Sequence, residues 1–158
     1  MPHSRFEWAG RIKAAEREYR SVRLAMDWLN AADPEEIHEL TQARGWDDLA
    51  AADRYAADSN LDATYLIRMY SIFERAVSSY WRLLPGNALR EADGGVRINE
   101  IGVFRHILSD TIREAQEVRI QRNRVVHQPF DQHAGWMVFE VARRGLMNFH
   151  SKLPESWG

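Results

Sequence analysis

Cysteine is absent from the 158 residues, which excludes disulfide staples and thiolate metal sites and is compatible with a reducing compartment. Long apolar runs are missing too: no stretch approaches the roughly 20 residues that a membrane-spanning helix needs. Met1-Pro2-His3-Ser4 leads directly into charged residues and leaves no apolar segment for a secretory leader, so a cytoplasmic location is the expectation. No segment alternates apolar and polar residues as a half-buried strand does. Charge of one sign is also lacking. A formal net charge of −2 speaks against a protein that coats nucleic acid by bulk attraction, although not against a local site. Lysine is scarce, and nearly all the cations are arginines.

What is present fits one globular domain over residues 1–158. A hydrophobic share of 45% and an aromatic share of 11% are too high for a disordered chain, and the length suffices for a real core. Ser4-Arg5-Phe6-Glu7 reads as a capping box opening a helix to about Asn30. Its apolar positions Trp8, Ile12, Ala15, Tyr19, Val22, Met26 and Leu29 alternate four and three apart, a seam suited to lying along another helix. That partner is expected inside the same domain, a dimer seam being the alternative. Asp33-Pro34 starts a second helix that Gly45 ends. Asp47 or Asp48 caps a short helix to about Ala57, which Asp58-Ser59-Asn60 breaks. Leu61 to Leu84 forms a helix with two apolar stripes. Tyr65, Leu66, Met69, Ile72, Phe73, Ala76, Tyr80 and Leu84 make the first; Ile67, Tyr70, Val77 and Trp81 make the second, with Glu74 at its centre. A helix apolar on two sides is central in a bundle or shared with a partner. Asp93-Gly94-Gly95 reads as a loop, and Asn99 as the cap of a helix carrying Ile101, Phe104, Ile107 and Leu108. The final helix is expected from about Gly135 to Lys152, with Val138, Val141, Ala142, Gly145, Phe149 and Leu153 inward. Gly145 in that stripe suggests a close backbone approach. The fold class is all-α.

The stretch that carries chemistry is Arg122-Asn123-Arg124-Val125-Val126-His127, followed by Pro129. It ends a helix from Asp110 whose apolar residues are Ile112, Ala115, Val118, Val125 and Val126. On that stripe Arg122 occupies a position where Leu or Ile would fit. A guanidinium keeps its proton, so it must be paired, face another chain, or line a polar pocket. Glu74 is a candidate counter-charge. Pro129 disfavours helical geometry at Gln128, so the helix should stop near Val126 or His127 and let His127 turn back towards Arg122. Unbroken helix would leave the two about 140° apart. Arginine, an amide and an imidazole at one helix end suit a phosphodiester, since arginine binds its oxygens in a fork and histidine moves protons near neutral pH. The plain alternative is a surface Arg, a capping Asn and a solvated His.

A long amphipathic helix, a connector, a helix ending in Arg-Asn-x-x-x-His and a closing helix resembles the HEPN superfamily. The motif residues are Arg122, the polar Asn123 and His127, and the helical context spans Leu61 to Leu153; residues 1–58 form an N-terminal helical extension outside the resemblance. The resemblance implies an up-and-down helical bundle that forms a homodimer, bringing two motifs to one cleft. It implies metal-independent cleavage of RNA by attack of a ribose 2′-OH, with no cofactor, in a toxin–antitoxin or phage-defence setting. His127 would handle the proton, Arg122 the phosphate charge and Asn123 orientation. Arg119 or Arg124 would bind flanking phosphates. A partner antitoxin, nucleotidyltransferase-like or other, is a further implication. One toxin branch carries a Tyr two residues before the motif His; Val125 stands there in this chain, which puts that form of control in doubt. Two rivals remain. His127, Asp131 and His133 could supply metal ligands, and the tryptophan-rich faces suit a non-catalytic module that binds a partner chain or RNA. His106 and His150 are read as helical and structural, His3 and His38 as exposed.

Overall fold

The computed structural model describes residues 4–47, 49–88, 90–127 and 137–157. They form six helices, α1 (Arg5–Ala31), α2 (Pro34–Gln42), α3 (Ala51–Trp81), α4 (Gly94–Phe104), α5 (Ser109–His127) and α6 (Phe139–His150). Among the described residues there is no strand beyond an isolated bridge between Ser4 and Ser156. The chain is an all-α bundle, and no described helix is long and apolar enough to cross a membrane.

α3 is the axis of the bundle. Its 31 residues extend about 46 Å, and it packs against α1, α4, α5 and α6. Both of its apolar stripes are therefore used: Tyr65, Leu66, Met69 and Phe73 are buried, and so are Tyr70, Val77 and Trp81 of the second stripe. α1 lies along α3 through the expected seam. Trp8, Ile12, Ala15 and Tyr19 are buried, and Trp8, Ile12 and Tyr19 belong to the same core as α3 to α6. Val22 and Met26 pack against that core only in part. A polar border follows the seam. The Tyr19 hydroxyl donates to Asp62 at 2.5 Å, the Tyr65 hydroxyl to Glu18 at 3.0 Å, and Arg68 is bonded to the same Glu18 carboxylate. At the start of α1, Ser4 Oγ accepts the Glu7 amide at 3.2 Å and donates to the Glu7 carboxylate at 2.8 Å. Asp33 caps α2 with Pro34 as its first residue, and Gly45 follows at φ +67°.

Several boundaries differ from the sequence expectation. The break at Asp58-Ser59-Asn60 does not occur, because α3 runs through it without a Pro or Gly. Asp58 and Asp62 instead hold Arg23 of α1, at 2.5 and 3.2 Å. Tertiary pairing thus outweighs the few tenths of a kcal/mol that each polar residue costs in a helix. The cap is Ala50, whose amide donates to Asp53 at 3.2 Å, rather than Asp47; Asp48 lies outside the described residues. α3 stops at Trp81, and tighter bonds from Leu83 to Tyr80 and from Leu84 to Trp81 close its end.

Asp93-Gly94-Gly95 is a helix start and not a loop. Asp93 accepts the Gly95 and Val96 amides at 2.6 and 3.0 Å, so α4 begins well before Asn99. Phe104 and Leu108 of the expected α4 stripe are exposed, while Ile101 and Ile107 are buried. His106 is not helical: it takes the left-handed conformation, φ +51°, in the turn after α4. α4 approaches α5 closely, with Gly102 against Ile112.

α6 is rotated from expectation. Phe139, Ala142, Gly145, Leu146, Phe149 and His150 face inward, and Val138 and Val141 are exposed. The larger aromatic takes the interior: Phe139 stacks on Tyr19 with ring centroids 4.0 Å apart. The expected start near Gly135 lies outside the described residues.

Candidate functional site

α5 carries the stretch singled out above. Its buried residues are Ala115, Val118, Gln121 and Val125, and these pack against α3, α4 and α6. The stripe is centred differently from the sequence reading. Val126 is exposed and Gln121 is buried, so Arg122 stands at the edge of the stripe, half-buried, rather than at its middle.

At that edge Arg122 lies over the Tyr70 ring, its guanidinium carbon 5.6 Å from the centroid, within reach of cation–π attraction. Nη1 donates to the Asn123 side chain at 3.0 Å. Nε is sealed from solvent with no hydrogen-bond partner. Arg119 projects from the same face, one turn earlier. Its Nε donates to Gln116 at 2.8 Å, and Gln116 in turn donates to the Gly95 carbonyl at 2.8 Å and to Asn99 at 2.9 Å. Neither Arg119 nor Arg122 has an ion pair with a described carboxylate. Two guanidiniums on one helix face without carboxylate partners are an arrangement suited to anions, and of the two only Arg122 carries a sealed donor, Nε, without a partner. Arg124 is exposed on another flank of α5.

The glycines at the start of α4 make the room. A Cβ on Gly95 would lie 3.0 Å from the Arg119 guanidinium carbon, and one on Gly94 would lie 3.0 Å from the Tyr70 hydroxyl and 3.2 Å from Glu74 Oε1. Tyr70, Glu74, Asp93 and Arg119 thus pack closely against the start of α4, with Arg122 over the Tyr70 ring. Tyr70 is 1% exposed. Burial, then the Glu74 charge, raises its pKa well above the usual phenol range against the pull of Arg119 and Arg122, so the hydroxyl stays a neutral donor. The Val96 and Gly95 amides lower the pKa of Asp93 and keep its cap ionised. Glu74 packs against Gly94 without forming an ion pair with Arg122.

No family model, curated protein or solved structure matches the chain.

His127 is the last residue of α5 and is exposed. The helix does not break ahead of it, so five residues of continuous helix turn it about 140° from Arg122. One chain thus brings Arg119, Arg122 and Asn123 together with Tyr70 and Glu74, and sends His127 off in another direction. Asp131 and His133, the other two candidate metal ligands, lie outside the described residues. Among the described residues no group of His, Asp and Glu could hold a metal ion.

Tyr70, Gln116 and the Gly94–Gly95 wall were not picked out from sequence as site residues. The sequence signal for Tyr70 was its place four residues before Glu74 on the second stripe of α3. Two further features lie apart from this cluster. A groove of about 520 Å³ between α1 and α3 is lined by Arg11, Arg68 and Arg75. An apolar groove of about 490 Å³ runs past Leu84, Pro85, Val103 and Phe104.

Proposed function

We propose that the chain is a metal-independent endoribonuclease of HEPN type, acting as a homodimer in a toxin–antitoxin or phage-defence setting. The observation that carries this reading is the pair of unpaired guanidiniums, Arg119 and Arg122, fixed beside Asn123 on the helix that ends in His127. Two rigid cations one turn apart suit the oxygens of adjacent phosphates. Arg122 then offsets the negative charge that grows on the phosphorus-bound oxygens as the ribose 2′-OH attacks. His127 exchanges a proton with a reacting oxygen. Because the two side chains diverge within one helix, the composite site takes Arg122 from one copy and His127 from the other. A twofold axis makes two such sites.

Purified protein and labelled RNA test this in the presence of chelator. Cleavage should persist without metal and fall by about 10²-fold or more in Arg122→Ala and in His127→Ala. Cleavage that requires added metal contradicts the reading. A second reading, a non-catalytic helical module, is favoured by the exposed Val103, Phe104 and Leu108 beside the apolar groove. Absence of cleavage together with a stable hetero-complex would support it.

A further inference from the structure

α1 and α3 run antiparallel, and charged side chains meet across their border at successive levels. Arg23 holds Asp58 and Asp62 at 2.5 and 3.2 Å. One level on, Glu18 is paired with Arg68 and accepts the Tyr65 hydroxyl. At the next level the pairing of opposite charges fails: Arg11 from α1 and Arg75 from α3 line one open groove of about 520 Å³. Arg75 lies two turns beyond Arg68 on the same face of α3, and Ala14, Ala15 and Ile72 supply the apolar lining. No acidic side chain among the described residues lines this groove. Glu7, one turn before Arg11, is bonded to Ser4. Arg11 rests instead on the Trp8 ring, its guanidinium carbon 5.0 Å from the centroid. Arg75 forms no hydrogen bond or ion pair with any described residue.

Two guanidiniums brought to one groove without a carboxylate repel each other, and salt removes that cost only in part. An anion between them turns the repulsion into attraction. The Trp8 ring holds Arg11 by its flat face and leaves the N–H edges of its fork free, so less side-chain freedom is lost on binding. Offsetting two cations takes a ligand with at least two negative charges, able to accept from two separate forks. A planar carboxylate fits the edge of one fork, whereas phosphate oxygens point in several directions. Small side chains at Ala14 and Ala15 keep the groove in the size range of small-molecule sites. We propose that this groove binds a phosphate-bearing anion, a free oligophosphate or the backbone of an RNA strand, clamped between Arg11 and Arg75. The ribonuclease reading is not needed for this, since the groove is built by α1 and α3 and not by the helix that carries Arg119 and Arg122.

The test is calorimetric titration of the full chain, in chloride buffer at low salt, with inorganic pyrophosphate and with an uncleavable 2′-O-methyl oligoribonucleotide. Binding of pyrophosphate identifies a free anion as the ligand, and binding of the oligonucleotide alone identifies the strand backbone. Saturation at about 100 times Kd should raise the wild-type melting temperature by about 5 °C or more. Arg11→Gln and Arg75→Gln should each weaken binding by about tenfold or more. Arg82→Gln, which changes an exposed arginine outside the groove, should bind as wild type does. Ala14→Glu sets a carboxylate one turn from Arg11 and should abolish binding. Without phosphate, Arg75→Gln and Ala14→Glu should melt no lower than wild type, because each relieves the like-charge contact. That result separates a lost ligand from a lost fold. Wild type that binds neither ligand overturns the proposal. So does binding that Arg82→Gln weakens as much as Arg75→Gln, or that neither groove arginine affects. Lower melting of both Arg75→Gln and Ala14→Glu without phosphate also overturns it, since the arginines would then be serving the folded chain itself.

Discussion

At the scale of single residues, burial decides which groups can change charge. His150 is 1% exposed, and its Nε2 is sealed without a partner. Burial, with a smaller push from Arg5, lowers its pKa from 6.5 to about 4. A lowered histidine pKa means that the native state favours the neutral ring. Its contribution is fully present above about pH 6.5 and is lost as pH falls towards 4, because the unfolded chain then binds a proton that the native chain refuses. The loss is about 1.4 kcal/mol per pH unit, roughly 3 kcal/mol in all. Denaturant midpoints measured between pH 7 and 4 should fall accordingly, and His150→Leu should flatten that part of the slope. A wild-type profile flat over this window would contradict the account. Arg122 and His127 stood out in the sequence because their types and spacing are visible there. The Tyr70 ring beneath Arg122 was not, since which side chains meet across two helices depends on how α3 and α5 are rotated against each other.

At the scale of elements, the glycines separate close approaches that matter from those that do not. A Cβ on Gly102 would fall 2.4 Å from Ile112 Cδ1, so Gly102→Ala forces the α4–α5 contact apart or the Ile112 side chain out of its rotamer. It should destabilise the chain by about 1–3 kcal/mol, despite the better helix propensity of alanine. Ile112→Ala in the same chain should recover part of that loss, which a double-mutant cycle measures. Gly145 contrasts with it. Its Cβ would meet Glu114 at 3.4 to 3.6 Å, ordinary contact, so Gly145→Ala should raise stability by about 0.5–1 kcal/mol. Thermal or denaturant melts of the two variants should therefore move in opposite directions. The α1 seam and the two-sided α3 were legible because periodicity records which faces are buried. The join across Asp58-Ser59-Asn60 was not, because the force that overrides local preference comes from Arg23, 35 residues earlier in the chain. The start of α4 was missed for another reason. Gly94 and Gly95 read as loop residues, yet they serve there to admit Tyr70, Glu74 and Arg119.

At the scale of the whole molecule, one chain presents an incomplete arrangement for the proposed reaction. The guanidiniums, the phenol and Glu74 cluster where α3, the start of α4 and α5 meet, while the imidazole faces away at the end of α5. The proposal of a composite site follows from that divergence. Mixing two inactive variants measures it directly. If Arg122→Ala and His127→Ala chains are unfolded together and refolded, mixed dimers carry one intact site and one doubly defective site. With random pairing, the central claim predicts recovery of roughly a quarter of wild-type cleavage of labelled RNA in chelator. Variants that stay as inactive together as apart, beside an active wild type, would show that Arg122 and His127 do not complete each other across two copies.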